Sequence, residues 1–268
     1  MSLDQSQRLP AARHLPASTS PVLGWPILGW LVLYLLIAGA WAGLVWMAAE
    51  PQADVFGALL ARCLAPADAA GLPTLILLWA LMSLGMMLPT SLPTLRRFGD
   101  LVRQGGTGRP SARFLAFLLA YATVWLGFSM AAALLQFMLA RTLPAAAQPI
   151  LAVIILASAG LYQFSRLKHA CLTRCRHPMT FFMVNWRDGL RGAAAMGLKH
   201  GRDCLGCCWA LMLLALIGGA MNLAWMGLGM ILMMLEKLAG TGRFVTVPLG
   251  LILVAAAGFA LGHLWFAA

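Results

Sequence analysis

The feature that most limits what this chain can fold into is a series of seven apolar stretches. Each is close to the ~20 residues that carry a helix across a ~30 Å hydrocarbon layer. They occupy residues 24–47, 72–92, 114–139, 146–164, 204–220, 223–238 and 244–266. The fifth and sixth abut at Met221 and Asn222, beside Gly218 and Gly219. These are turn formers, and one continuous helix would overshoot any bilayer, so two helices are expected there. The alternation of a β-barrel is absent, which leaves helices as the way to satisfy the backbone in lipid. Composition agrees: 62% of residues are apolar and 10% charged, against roughly 45–50% and about 25% in soluble domains. The expected fold is therefore all-α, a polytopic transmembrane bundle of about seven helices.

The net charge of +11 is best read by position. Of the 19 Lys and Arg, 17 fall in the N-terminal tail and the second, fourth and sixth connections. The other side receives Arg62 and Arg141, together with the acidic Glu50, Asp54 and Asp68. Positive-inside bias then places the N-terminus in the cytoplasm and the C-terminus outside. The basic balance reflects topology, with anionic lipid headgroups as a secondary partner and no nucleic acid. Residues 1–22 are polar, with Pro10, Pro16 and Pro21. They are expected to be a disordered cytoplasmic tail, without the apolar core and cleavage site of a removable signal peptide. Residues 23–268 form the membrane domain.

Soft ligands are concentrated in and just after the cytoplasmic loop at about 165–203. His169, Cys171, Cys175, His177, His200, Cys204, Cys207 and Cys208 follow one another there. A reducing compartment keeps thiols free, which favours metal binding or redox chemistry over structural disulfides. Cys171 and Cys175 are spaced i, i+4, so a helix aligns their sulfurs on one face. Asp203 is a good N-cap, which would make Cys204 the first residue of a helix with Cys207 and Cys208 one turn on. A helix start would also favour the thiolates that metals and electrophiles require. His200, four residues before Cys204, can complete a first shell. His169 and His177 are weaker candidates, and the isolated Cys63 and His263 read as packing or surface residues.

A second soft-ligand set ends the second stretch, where Met82, Met86 and Met87 precede Pro89 and Pro93. Pro89 removes the hydrogen bond to the Gly85 carbonyl, and Pro93 the one to Pro89. Such open carbonyls persist in a bilayer only where protein or water meets them. Thioethers are soft ligands that suit Cu(I). Met221, Met226, Met230, Met233 and Met234 run along the sixth stretch, where Met serves equally as a gap filler. Glu236 and Lys237 read as a snorkelling pair at a helix end. No GxGxxG, phosphate loop, nucleophile elbow or HExxH occurs, so enzymatic hydrolysis and nucleotide chemistry have no visible machinery.

Three segments together carry a resemblance: Met86-Met-Leu-Pro89, the stretch from Gly160 to Pro178 with its Lys-x2-Cys-x3-Cys, and Gly197 to Trp209 with its His-Gly-x2-Cys-x2-Cys-Cys. From roughly residue 72 onward, the chain resembles a family of bacterial predicted metal-binding integral membrane proteins, related to the copper chaperone of polyphenol oxidases. The resemblance implies a multi-pass protein of the bacterial inner membrane. It also implies a metal site drawn from Cys171, Cys175, His200, Cys204, Cys207, Cys208, Met86 and Met87, and copper(I) as the metal. The expected function is soft-metal chaperoning, with transfer to a copper-dependent enzyme, to another metal carrier or across the membrane, and no enzymatic reaction. The alternatives are a membrane thiol-disulfide oxidoreductase using Cys204 and Cys207, and an assembly factor folded around structural zinc.

Overall fold

The structure, a computed structural model, describes residues 27–48, 71–104, 109–218, 223–238, 240 and 242–267. Among them every regular element is helical, as the apolar pattern requires. In chain order these are α1 (Ile27–Ala48), α2 (Leu72–Thr90), α3 (Leu92–Gln104), α4 (Pro110–Thr142), a 3₁₀ turn at Ala145–Ala147 and α5 (Gln148–Tyr162). There follow α6 (Arg166–Arg176), α7 (Pro178–Asn185), α8 (Gly189–Leu213), α9 (Ala215–Gly218), α10 (Leu223–Lys237) and α11 (Gly242–Ala267). The expected tail at 1–22, Cys63 and the Met221–Asn222 break lie outside the described residues.

Five helices are long and apolar enough to cross a membrane: Leu28–Trp46, Leu72–Thr90, Pro110–Thr142, Gly189–Ile217 and Phe244–Phe266. A sixth is reached if α5 and α6, bent by 61° at their junction, count as one broken span. The difference from seven lies in α10, whose 15 residues rise only about 22 Å at 1.5 Å each.

The largest departure from the sequence reading concerns α8. Asp203 does not cap a helix at Cys204; it lies inside one that began at Gly189, with Asp188 at its start. The segment read as a cytoplasmic loop at about 165–203 is helical, forming α6, α7 and the first half of α8, with Cys171, Cys175, Phe181 and Phe182 buried in the bundle. The physical reason is visible in the burial pattern. Gly192, Ala193, Met196, Gly197, His200, Gly201, Cys204, Cys207 and Cys208 are buried at helical spacing, while Arg191 and Arg202 are exposed on the opposite face.

That buried stripe packs on α4, the most extensive helix pairing in the bundle. The approach is close enough that a Cβ on Gly197 would lie 2.3 Å from the Phe117 carbonyl oxygen. Only a glycine permits this contact. At the N-terminal ends, Arg113 of α4 reaches Asp188 at 3.5 Å and lies over the Trp186 ring.

The Pro89 region also closes in protein. The Gly85 carbonyl, which loses its helical donor to Pro89, accepts from the Trp41 indole of α1 at 3.1 Å. The Met87 carbonyl accepts from Thr90 and from Tyr121 of α4, each at 3.0 Å, and the Leu88 carbonyl accepts from Ser91 Oγ at 2.8 Å. The Gly85 carbonyl opened by Pro89 is therefore met by α1, and the Met87 and Leu88 carbonyls beside it are met by α4 and by local hydroxyls. Around α2, α4, α6, α8 and α10 one contiguous core forms, and the thiols lie within it.

Candidate metal centre

The centre is built on one turn of α8. Cys204, Cys207 and Cys208 are all buried, and their sulfurs lie within 4.8 Å of one another. Spacing of i, i+3 and i+4 puts three side chains on one face wherever the helix happens to begin. The convergence expected from the sequence therefore survives the shift of the helix start. Cys207 donates to its own turn, at the Cys204 carbonyl, 3.0 Å away, and its sulfur lies 3.1 Å from that of Cys208.

α6 adds a fourth sulfur. The Cys175 thiol is a hydrogen-bonding neighbour of Cys204 and Cys207, and it borders the group whose ligand atoms all lie within 4.8 Å without belonging to it. Cys171, one turn earlier, is buried against Gly206, where an added Cβ would sit 2.6 Å from its sulfur. The missing side chain at Gly206 is what lets α6 lie this close to α8. Tyr162 holds the same turn by donating to the Gly206 carbonyl. Cys171 thus borders the three-sulfur group without belonging to it. All five of these cysteines are free thiols.

His200 is buried one turn before Cys204, on the same helix face. Its imidazole is held among aromatic rings, stacked on Tyr121 and Phe117 at 5.5 and 6.0 Å between centroids and edge-on to Phe181 at 5.6 Å. It is not part of the group whose ligand atoms all lie within 4.8 Å. His169 is half-buried, while His177 and His263 are exposed.

Two polar groups invisible to the spacing argument touch the cluster. Tyr121 donates its proton to the Met87 carbonyl, so toward the Cys204 sulfur, 3.2 Å away, it can act only as acceptor of the thiol proton. Lys237, at the end of α10, donates to Cys204 Sγ at 3.2 Å and to Thr90 Oγ1 at 2.8 Å. It is not a snorkelling residue. Lys237 is half-buried, while its neighbour Glu236 is buried and bonded through both carboxylate oxygens to Lys168 of α6 at 3.0 and 2.8 Å. Arg176 of the same helix donates to the Glu236 backbone oxygen at 2.8 Å. These bonds fix the end of α10 to α6, and so fix the ammonium of Lys237 against the thiols. Sequence gave no signal for this, because Lys168 and Glu236 are 68 positions apart.

The methionines form a neighbouring layer. Met87 is buried, its sulfur 3.9 Å from Thr90 Oγ1, the hydroxyl that Lys237 also contacts. Met86 points toward α10, where its methyl and that of Met233 lie 3.3 and 3.7 Å from the Cβ position of Gly229. Met226 and Met233 are buried and Met234 is exposed, so part of the α10 methionine row faces α2.

Fold and site together define a helical bundle, with several helices of membrane-spanning length, folded around a buried cluster of soft ligands. Residues 76–260 match the PpoB2 copper chaperone family, and the chain belongs to that family. No curated protein and no solved structure matches it.

Proposed function

We propose that the protein is a bacterial inner-membrane chaperone for copper(I), which binds the ion at a cytoplasmic thiol cluster and passes it to a copper-dependent enzyme, to another carrier or across the membrane. The observation that carries this reading is the convergence of the Cys204, Cys207 and Cys208 sulfurs within 4.8 Å, with Cys175 in contact. Thiolates select soft ions, and a buried site strips the ion of water. Transfer then requires only exchange of one metal–sulfur bond for another. The ammonium of Lys237 offsets part of the thiolate charge that burial would otherwise penalise. Met87 and Met86, one layer away, are the proposed next ligands. His200 and Cys171 border the site and stand in the proposed ligand set as supporting members. The bias of Lys and Arg supports a cytoplasmic N-terminus and a cytoplasmic cluster, and α10 is the proposed short seventh membrane segment.

Metal analysis of the purified protein tests this, with copper and zinc measured in the same sample. The parent should carry copper, and the Cys204→Ser/Cys207→Ser double variant should insert normally yet fall to background, because a serine oxygen is a poor soft-metal ligand. Equal copper in both proteins would remove the proposed site. Zinc remains the second reading because four cysteines, Cys175, Cys204, Cys207 and Cys208, also make a closed zinc set. The helix start expected to favour thiolates is absent, since the cluster lies well inside α8, and the ammonium of Lys237, which donates to Cys204, is the group that would favour them instead.

A further inference from the structure

A cavity of about 380 Å³ opens beside the cluster, and Cys175, Thr90 and Lys237 form part of its lining. Cys175 is the one thiol that lines it. The cavity walls also carry Arg97, Arg176 and His177, with no carboxylate among the lining residues. The nearby acids are already engaged: Glu236 is paired with Lys168, and Asp203 with Arg174 at 2.8 Å. Asp100 lines a neighbouring cavity that shares Pro93 and Arg97 with this one. The route to the thiols is thus lined by three permanent cations. A bare Cu⁺ ion would be repelled along it, while an anion would be drawn in. A volume of this order suits a small molecule.

We infer that this basic cavity admits the metal as an anionic Cu(I) complex of a small thiol, and that Cys175 makes the first exchange. The inference rests on the copper reading above. In the exchange, the complex RS–Cu–SR⁻ meets the Cys175 thiol. One Cu–S bond to the carrier breaks and one to Cys175 forms. The proton of Cys175 leaves with the released carrier thiol, and copper stays Cu(I) throughout. Cys204 and Cys207, already in contact with Cys175, take the ion onward by the same kind of step.

The test compares loading of the detergent-solubilised full chain from two Cu(I) complexes, that of glutathione, which is negatively charged, and that of cysteamine, which is positively charged. Arg97 is exposed, so Arg97→Glu should leave the fold intact. It should slow loading from the glutathione complex about tenfold or more at low salt, and speed or leave unchanged loading from the cysteamine complex. The difference should shrink toward zero at about 0.5 M salt, with the final copper content unchanged. Cys175→Ser should slow glutathione loading at least about tenfold, and Cys63→Ser should not. An equal response of both carriers to Arg97→Glu would overturn the inference, as would parental loading rates in Cys175→Ser. Copper absent from the parent after either carrier would overturn the chaperone reading, and this inference with it.

Discussion

The helices α8 and α11 have almost the same length, 25 and 26 residues, yet they solve opposite problems. α11 turns Leu251, Ile252 and Phe259 outward, each more than half exposed, and packs chiefly on α5, in a small apolar core shared with α5 and the end of α8. α8 lies between α4 and α6 and buries His200, Asp203 and three cysteines. A helix that meets lipid needs apolar side chains around most of its girth, while one enclosed by other helices can carry polar and reactive groups if each finds a partner. The reactive helix of such a bundle is therefore the one that hydropathy describes least well.

Three sets of variants sharpen or break this contrast. The largest effect is expected where charge is buried. Glu236→Gln leaves the Lys168 ammonium buried without its carboxylate, which should cost about 3–5 kcal/mol. Thermal unfolding in detergent should show it, and a Lys168→Met/Glu236→Leu pair should recover most of the loss. A smaller effect separates the two helices directly. Gly197→Ala on α8 drives a Cβ into the Phe117 carbonyl and should destabilise by about 1–3 kcal/mol. Gly258→Ala on α11 meets nothing within 4 Å and should be neutral or stabilise by up to about 1 kcal/mol through helix propensity. If both shift the unfolding temperature alike, the proposed distinction between enclosed and lipid-facing helices is wrong. The smallest structural effect belongs to Met86→Leu/Met87→Leu, a swap that should cost under about 1.5 kcal/mol. Its consequence should be functional: cysteine-bound metal retained, copper-dependent enzyme activity lost under limiting copper. A variant indistinguishable from the parent would make these methionines packing residues and favour the zinc reading, because thioethers suit Cu(I) far better than Zn(II).

The same contrast explains what could be read from the chain. The expected bounds 223–238 and 244–266 differ by at most two residues from α10, Leu223–Lys237, and α11, Gly242–Ala267, because an uninterrupted apolar run marks such a helix directly. The apolar run places the start of α8 some fifteen residues too late, since Arg191, Lys199, Arg202 and Asp203 lower the hydropathy of the helix before Cys204. The legible signal was periodicity: small or soft residues at 193, 196/197, 200/201, 204 and 207/208 trace a single helical face from start to finish. At the site, the cysteine spacing survives any choice of helix start, so the three-sulfur group was within reach of sequence reasoning. Tyr121 and Lys237 were not, because only the packing of α4 and α10 around α8 brings them to Cys204, with Thr90 of α2 bonded to Lys237.

The bond from Trp41 to the Gly85 carbonyl bears on what the smallest working unit of this protein is. The stretch that matches the family begins at residue 76, after α1, so α1 looks at first like a dispensable anchor. Removing it would strip the donor from a carbonyl that Pro89 has already deprived of its helical partner. Gly85 is buried, and a buried carbonyl left without a donor costs several kcal/mol. The proline that breaks α2 next to the thiols therefore makes the rest of the bundle dependent on a helix outside the shared sequence. A fragment trimmed to residues 76–260 keeps every proposed ligand but loses the group that closes the ligand-bearing helix.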